Sequence, residues 1–123
     1  MKVYILNSAI MPCEGSYYTK KITKNEFIIL LQFFSEMNRL VSYIGYEQNK
    51  ELIKKWSGVD VELNRGELKE LEDGDILLII KLKYRVSEPS EKGKIVNEDD
   101  FEFFISKYSS SRQPKIKIFE VEI

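Results

Sequence analysis

Ile76-Leu77-Leu78-Ile79-Ile80-Lys81-Leu82-Lys83-Tyr84-Arg85-Val86 is the stretch from which the rest of the chain can be placed. Its first half, Ile76–Ile80, is continuously apolar, so neither face has a polar side to turn toward water. A strand of that composition belongs in the middle of a sheet covered on both faces. The second half alternates: Ile80, Leu82, Tyr84 and Val86 point one way, and Lys81, Lys83 and Arg85 the other. The stretch therefore predicts a central strand over Ile76–Val86 that runs out of the core into solvent.

Other elements fall around it. Lys2–Leu6 is apolar, β-branched and aromatic, and reads as a second buried strand that Asn7-Ser8 breaks. Pro12 and Gly15 punctuate a loop, and Ser16–Ile22 fits an edge strand. Thr23-Lys24-Asn25-Glu26 has the form of a capping box, in which hydroxyl and carboxylate satisfy each other's backbone amides. The helix it opens extends to about Met37, with Phe27, Leu30, Leu31 and Phe34 on one stripe. Ile28, Ile29 and Phe33 widen that stripe, which predicts a helix buried within the fold or covering a second copy.

A second helix is predicted over Tyr46–Ser57. Glu47 suits its positive end, Lys54-Lys55 its negative end, and Gly58 a left-handed C-cap. Val59–Leu71 reads as one or two short strands around Asn64-Arg65-Gly66, and Glu72-Asp73-Gly74-Asp75 as a turn. Asn97 and the acidic Glu98-Asp99-Asp100 predict a third helix with Phe101, Phe104, Ile105 and Tyr108 on its stripe. Lys115–Ile123 is read as a last strand. The sum is a single α/β domain over 1–123: a single-layer mixed β-sheet of about five strands packed by helices.

Composition narrows the chemistry. The chain has 123 residues, 43% of them apolar, which suits one ordinary core. Nineteen basic residues (19) nearly cancel twenty acidic ones (20), which argues against a basic duplex-binding coat. Histidine is absent and Cys13 is the only cysteine, so His-based catalysis, His- or Cys-built metal centres and disulfide frameworks are excluded. No run approaches a membrane span, and the opening residues do not form a signal peptide, so no membrane association and no export are expected. Lys and Glu are abundant and Ala occurs once. That bias fits a hot habitat or AT-rich coding equally well.

Three features can carry function. Lys81, Lys83 and Arg85 form a basic stripe that is either a solvent-facing strand surface or a phosphate-binding one. Asn7 and Ser8, at a strand end, are either a turn or ligand contacts at the crevice of the sheet. Gly45-Tyr46, at a helix start, either initiates the helix or offers free amides to an anion. No phosphate loop, dinucleotide fingerprint or nucleophile elbow is present. No spacing of carboxylates points to a metal, and Cys13 without an imidazole partner reads as a bystander.

A wider pattern joins these features. Val3-Tyr4-Ile5-Leu6-Asn7-Ser8-Ala9-Ile10, Ser42-Tyr43-Ile44-Gly45-Tyr46-Glu47, Gly58-Val59, Asn64-Arg65, Gly74-Asp75 with the strand to Arg85, and Phe119-Glu120-Val121 occur in an order that resembles one family. It is the viral ring nucleases, anti-CRISPR proteins of archaeal viruses. The resemblance implies an α/β homodimer that binds cyclic tetra-adenylate, the messenger of type III defence, and cleaves it without metal or cofactor. A ribose 2′-hydroxyl can attack its own phosphate, so the protein need only align it, stabilise charge and protonate the leaving oxygen. Arg85 and Glu88 match the family's arginine and acid. Its catalytic histidine is replaced here by Tyr46, a weak acid-base at neutral pH. The loop Pro89-Ser90-Glu91-Lys92 is longer than the family's.

Two expectations follow from the resemblance. The preferred one is a diverged anti-CRISPR binding module that grips a host CRISPR effector protein, the type I-D large subunit being the suggested target. The missing histidine, altered loop and balanced charge favour it. The other is a cyclic tetra-adenylate binder or ring nuclease. There Arg85, Glu88 and Tyr46 would serve catalysis, and Asn7, Ser8, Gly45, Lys81, Lys83 and Arg85 would hold the ligand. Both place the protein in the host cell cytoplasm as a homodimer.

Overall fold

The structure, a computed structural model, describes residues 1–83 and 98–110. Its elements in chain order are β1 (Val3–Leu6), β2 (Ser16–Ile22), α1 (Lys24–Glu36), β3 (Leu40–Tyr43), α2 (Glu47–Ser57), β4 (Ile76–Leu82), a short 3-10 turn at Glu98–Asp100 and β5 (Phe101–Ser109). They form a mixed five-stranded sheet in the order β2-β5-β4-β1-β3. β1 runs parallel to both neighbours, with Val3 beside Leu40 and Ile76. β5 is antiparallel to β4 and to β2. The two most apolar segments thus occupy neighbouring inner positions, where both faces are covered and both backbone edges are paired.

Alternation along these strands sorts the core into two layers. Val3, Ile5, Leu78, Ile80, Phe101 and Phe103 face the helices and pack with Phe27, Leu31 and Phe34 of α1 and Ile53 of α2. Tyr4, Leu6, Leu77 and Ile79 face the other way and are covered in part by Leu68. Phe27 and Leu31 are fully buried, each contributing about 1.5–3 kcal/mol by leaving water. Ile29 and Phe33 are 62% and 54% exposed, so α1 buries one stripe only and its widened side meets solvent.

Local signals set both helices. The Glu26 amide donates to the Thr23 hydroxyl at 3.1 Å, and the Thr23 amide to the Glu26 carboxylate at 2.8 Å, which completes the capping box. Gly58 closes α2 in the left-handed conformation, φ +79°, its amide donating to the Lys54 carbonyl at 2.8 Å. At the amino ends of the parallel strands, the buried Asp75 carboxylate accepts from the amides of Lys2 (2.9 Å) and Glu72 (2.8 Å). It ties the start of β1 to the turn before β4.

The structure corrects three expectations. The predicted third helix is a strand after one 3-10 turn, because Phe101–Ser109 supplies the hydrogen-bonding partner for β4 on one side and β2 on the other. As a helix it would leave the apolar β4 with an unpaired edge. The strand Leu40–Tyr43 was not anticipated; only its parallel pairing with β1 makes it one. Val59–Leu71 forms no strand, only a bridge between Ile44 and Leu63. β4 ends at Leu82; Tyr84–Val86 and the expected strand Lys115–Ile123 lie outside the described residues.

Candidate functional site

Parallel strands carry their carboxyl ends to the same edge of the sheet. β1 and β3 are neighbours, so the residues that follow them, Asn7-Ser8 and Ile44-Gly45-Tyr46, meet there. Between them opens a cavity of about 560 Å³, whose third wall is the Asn64–Leu68 segment. That volume lies inside the range of small-molecule sites, roughly 300–1,000 Å³.

Gly45 is held from two sides. Its amide donates to the Asn7 side-chain oxygen at 3.2 Å, and its carbonyl accepts from Arg65 Nε at 2.9 Å. Arg65 is carried to this point by a network of its neighbour. The Asn64 amide donates to the Ile44 carbonyl at 2.8 Å, its side chain donates to the Ser42 carbonyl at 2.9 Å, and its oxygen accepts from the Gly66 amide at 2.8 Å. Arg65 is exposed, and among the described residues no carboxylate pairs with it, so its terminal nitrogens remain available to an anion. Tyr46, the residue before α2, makes no side-chain cap, which leaves the first amides of that helix without a side-chain acceptor. Its ring is 53% exposed at the rim. Two acids temper the positive end: Glu47 in the first turn and Glu67 in the wall.

A family model described as STIV B116-like matches residues 3–109. The chain belongs to the STIV B116-like family. Its structure is similar to that of B116 of Sulfolobus turreted icosahedral virus (STIV), with a TM-score of 0.70 and 22% identity over 87% of this chain and 99% of that one. At that identity the likeness is one of fold. No curated protein matches the chain in sequence.

In this member of the STIV B116-like family, the cavity brings together four residues singled out in the sequence: Asn7, Ser8, Gly45 and Tyr46. It does not include the lysines. Lys81 lies on the sheet face of Ile79, lines a second cavity of about 310 Å³, and approaches Glu102 at 3.8 Å. Lys21 donates to the same carboxylate at 3.1 Å, and Lys83 is exposed just past β4. The hydrogen bond from Lys21, with the charges of Lys21, Lys81 and Lys83, holds the Glu102 carboxyl below its usual range. The basic stripe is therefore partly answered by an acid of the protein itself. Arg85 and Glu88 lie outside the described residues.

Arg65 and Asn64 line the cavity although the sequence assigns them no site role, offering only a turn at Asn64-Arg65-Gly66 and one segment of the family resemblance. The turn is real, and its Asn-x-Gly form is what fixes the arginine beside Gly45. Among the described residues, no group of His, Cys, Asp and Glu is placed to hold a metal, and no helix is long and apolar enough to cross a membrane.

Proposed function

We propose that this protein is a virus-encoded anti-CRISPR factor that acts by binding, and that its cavity takes cyclic tetra-adenylate. The observation that carries the reading is the Gly45 clamp. A backbone turn is fixed between Asn7 and Arg65 at the rim of a polar cavity, with free arginine nitrogens and uncapped helix amides beside it. These groups suit a phosphodiester, which arginine engages through two parallel hydrogen bonds. The exposed Tyr46 ring offers a stacking surface to a base. The chain holds no imidazole, and general acid–base help is worth about 10²–10⁴-fold in rate, so sequestration with at most slow cleavage is the expected outcome. Two copies would present two such cavities to one cyclic ligand, in the cytoplasm where the messenger is made.

A second reading keeps the anti-CRISPR role but makes a host effector protein the target. The exposed Ile29 and Phe33 of α1 favour it, since apolar side chains that serve no core are available to a partner.

Titration of the purified protein with labelled cyclic tetra-adenylate, followed by separation of products, tests the first reading. Binding at micromolar protein or below is expected, with the ring left intact over minutes and Arg65→Ala weakening affinity at least tenfold, about 1.4 kcal/mol. Absence of binding by the wild-type protein rejects the ligand reading and leaves the effector contact.

A further inference from the structure

The nine residues between β1 and β2 are pinned at both ends and free in the middle. At one end the Asn7 side chain accepts from Gly45. At the other, the Tyr17 hydroxyl donates to the Cys13 carbonyl at 2.6 Å and accepts from the Cys13 amide at 3.2 Å. The Tyr108 hydroxyl donates to the Glu14 carbonyl. Gly15 then passes so close to the Tyr108 ring, at φ +144°, that a Cβ there would fall 2.4 Å from it. The far anchor therefore combines three hydrogen bonds with a backbone packed against the Tyr108 ring.

The tip behaves differently. Ser8, Ala9, Ile10 and Met11 are exposed, and among the described residues none of them makes a hydrogen bond. Ile10 lines the polar cavity at Gly45 and also the apolar one floored by Leu77, Ile79 and Phe104. Met11, 76% exposed, lines only the second. Two apolar side chains thus stand in water at the boundary of two cavities, on a segment held only by its ends.

We infer that Ser8–Met11 is a strap that closes over a ligand seated at Gly45, with Ile10 and Met11 as its water-excluding residues. Its free amides and the Ser8 hydroxyl give an anion partners that the open state leaves to solvent. Its apolar side chains then cover the Arg65 contact and lower the local dielectric around it. The pinned ends keep the movement local and its entropic cost small, because only four residues are ordered. The inference rests on the ligand reading above and adds to it which segment governs ligand release.

The test uses labelled cyclic tetra-adenylate on the full chain, with stopped-flow kinetics and amide hydrogen exchange. Ligand is expected to protect the amides of Ser8–Met11. The double variant Ile10→Gly, Met11→Gly is expected to raise the dissociation rate about tenfold with little change in association, as contacts formed after encounter do. Both side chains are exposed, so the variant folds. Wild-type binding with no added protection and an unchanged dissociation rate in the variant overturns the strap and leaves the ligand reading standing. No binding by the wild-type protein overturns both.

Discussion

Asp75 offers the sharpest test of how the sheet is tied together. Its side chain is 2% exposed, and its two oxygens accept from the Lys2 amide at 2.9 Å and the Glu72 amide at 2.8 Å. Asp75→Ala removes both acceptors and leaves two amides at a closed strand end. Hydrogen bonds to a charged group are worth about 1.5–3 kcal/mol each, so the expected loss is about 3–6 kcal/mol. For a domain of this size that corresponds to a fall in Tm of about 12–24 °C, at roughly 4 °C per kcal/mol. Asp75→Asn keeps one acceptor and turns an NH2 toward the other amide, so it should lie between wild type and alanine. Urea unfolding followed by circular dichroism is the assay, with the midpoint shifted by about 2 M and the slope unchanged. The site lies at the opposite edge of the sheet, so ligand affinity measured well below the transition should be retained. A loss under about 1 kcal/mol for Asp75→Ala would refute the reasoning, since it would mean that water replaces the carboxylate at both amides.

Other outcomes follow from particular contacts. Thr23→Ala removes one half of the capping box and should cost about 1 kcal/mol in the same unfolding assay, whereas Thr23→Ser should cost little. The Tyr108 phenol, hydrogen-bonded to the Cys13 thiol and buried, is pushed up to about 12 from 10.0. Because the folded state favours its neutral form, that contribution is complete below pH 10 and is lost as the pH rises from 10 toward 12. Absorbance titration at the phenolate band should show one tyrosine ionising last, and Tyr108→Phe should remove it. Gly15→Ala should destabilise the protein by clash with the Tyr108 ring, and Tyr108→Ala in the same chain should recover part of the loss. The Lys50 ammonium, 2.5 Å from Asp60, holds the Asp60 carboxyl below its ordinary value. That ion pair adds stability above the ordinary carboxylate range and loses it as the pH falls, so Asp60→Asn should flatten the acid limb of unfolding.

Much of the site was legible because its parts are local. Asn7-Ser8 stand where an apolar strand stops and Gly45-Tyr46 where a helix begins, and both kinds of position are revealed by a few adjacent residues. That they face one cavity was not legible, since it needs β1 and β3 to be parallel neighbours, and β3 went unrecognised. Arg65 was hidden for the same reason: its partner is a carbonyl 20 residues away in the chain.

The sequence by itself determined what short-range physics controls. The capping box at Thr23, the left-handed cap at Gly58, the turn at Gly74 and the buried character of Ile76–Ile80 each depend on a few adjacent residues, and each stands in the structure. Tertiary structure alone decided Phe101–Ser109 and Leu40–Tyr43. Phe101, Phe104, Ile105 and Tyr108 fit a helical stripe as well as a strand with apolar residues on both faces. The choice fell to the strand because β4 and β2 each needed a backbone partner on that side. Long-range pairing outweighs a local preference of a few tenths of a kcal/mol per residue whenever the alternative leaves buried amides unbonded.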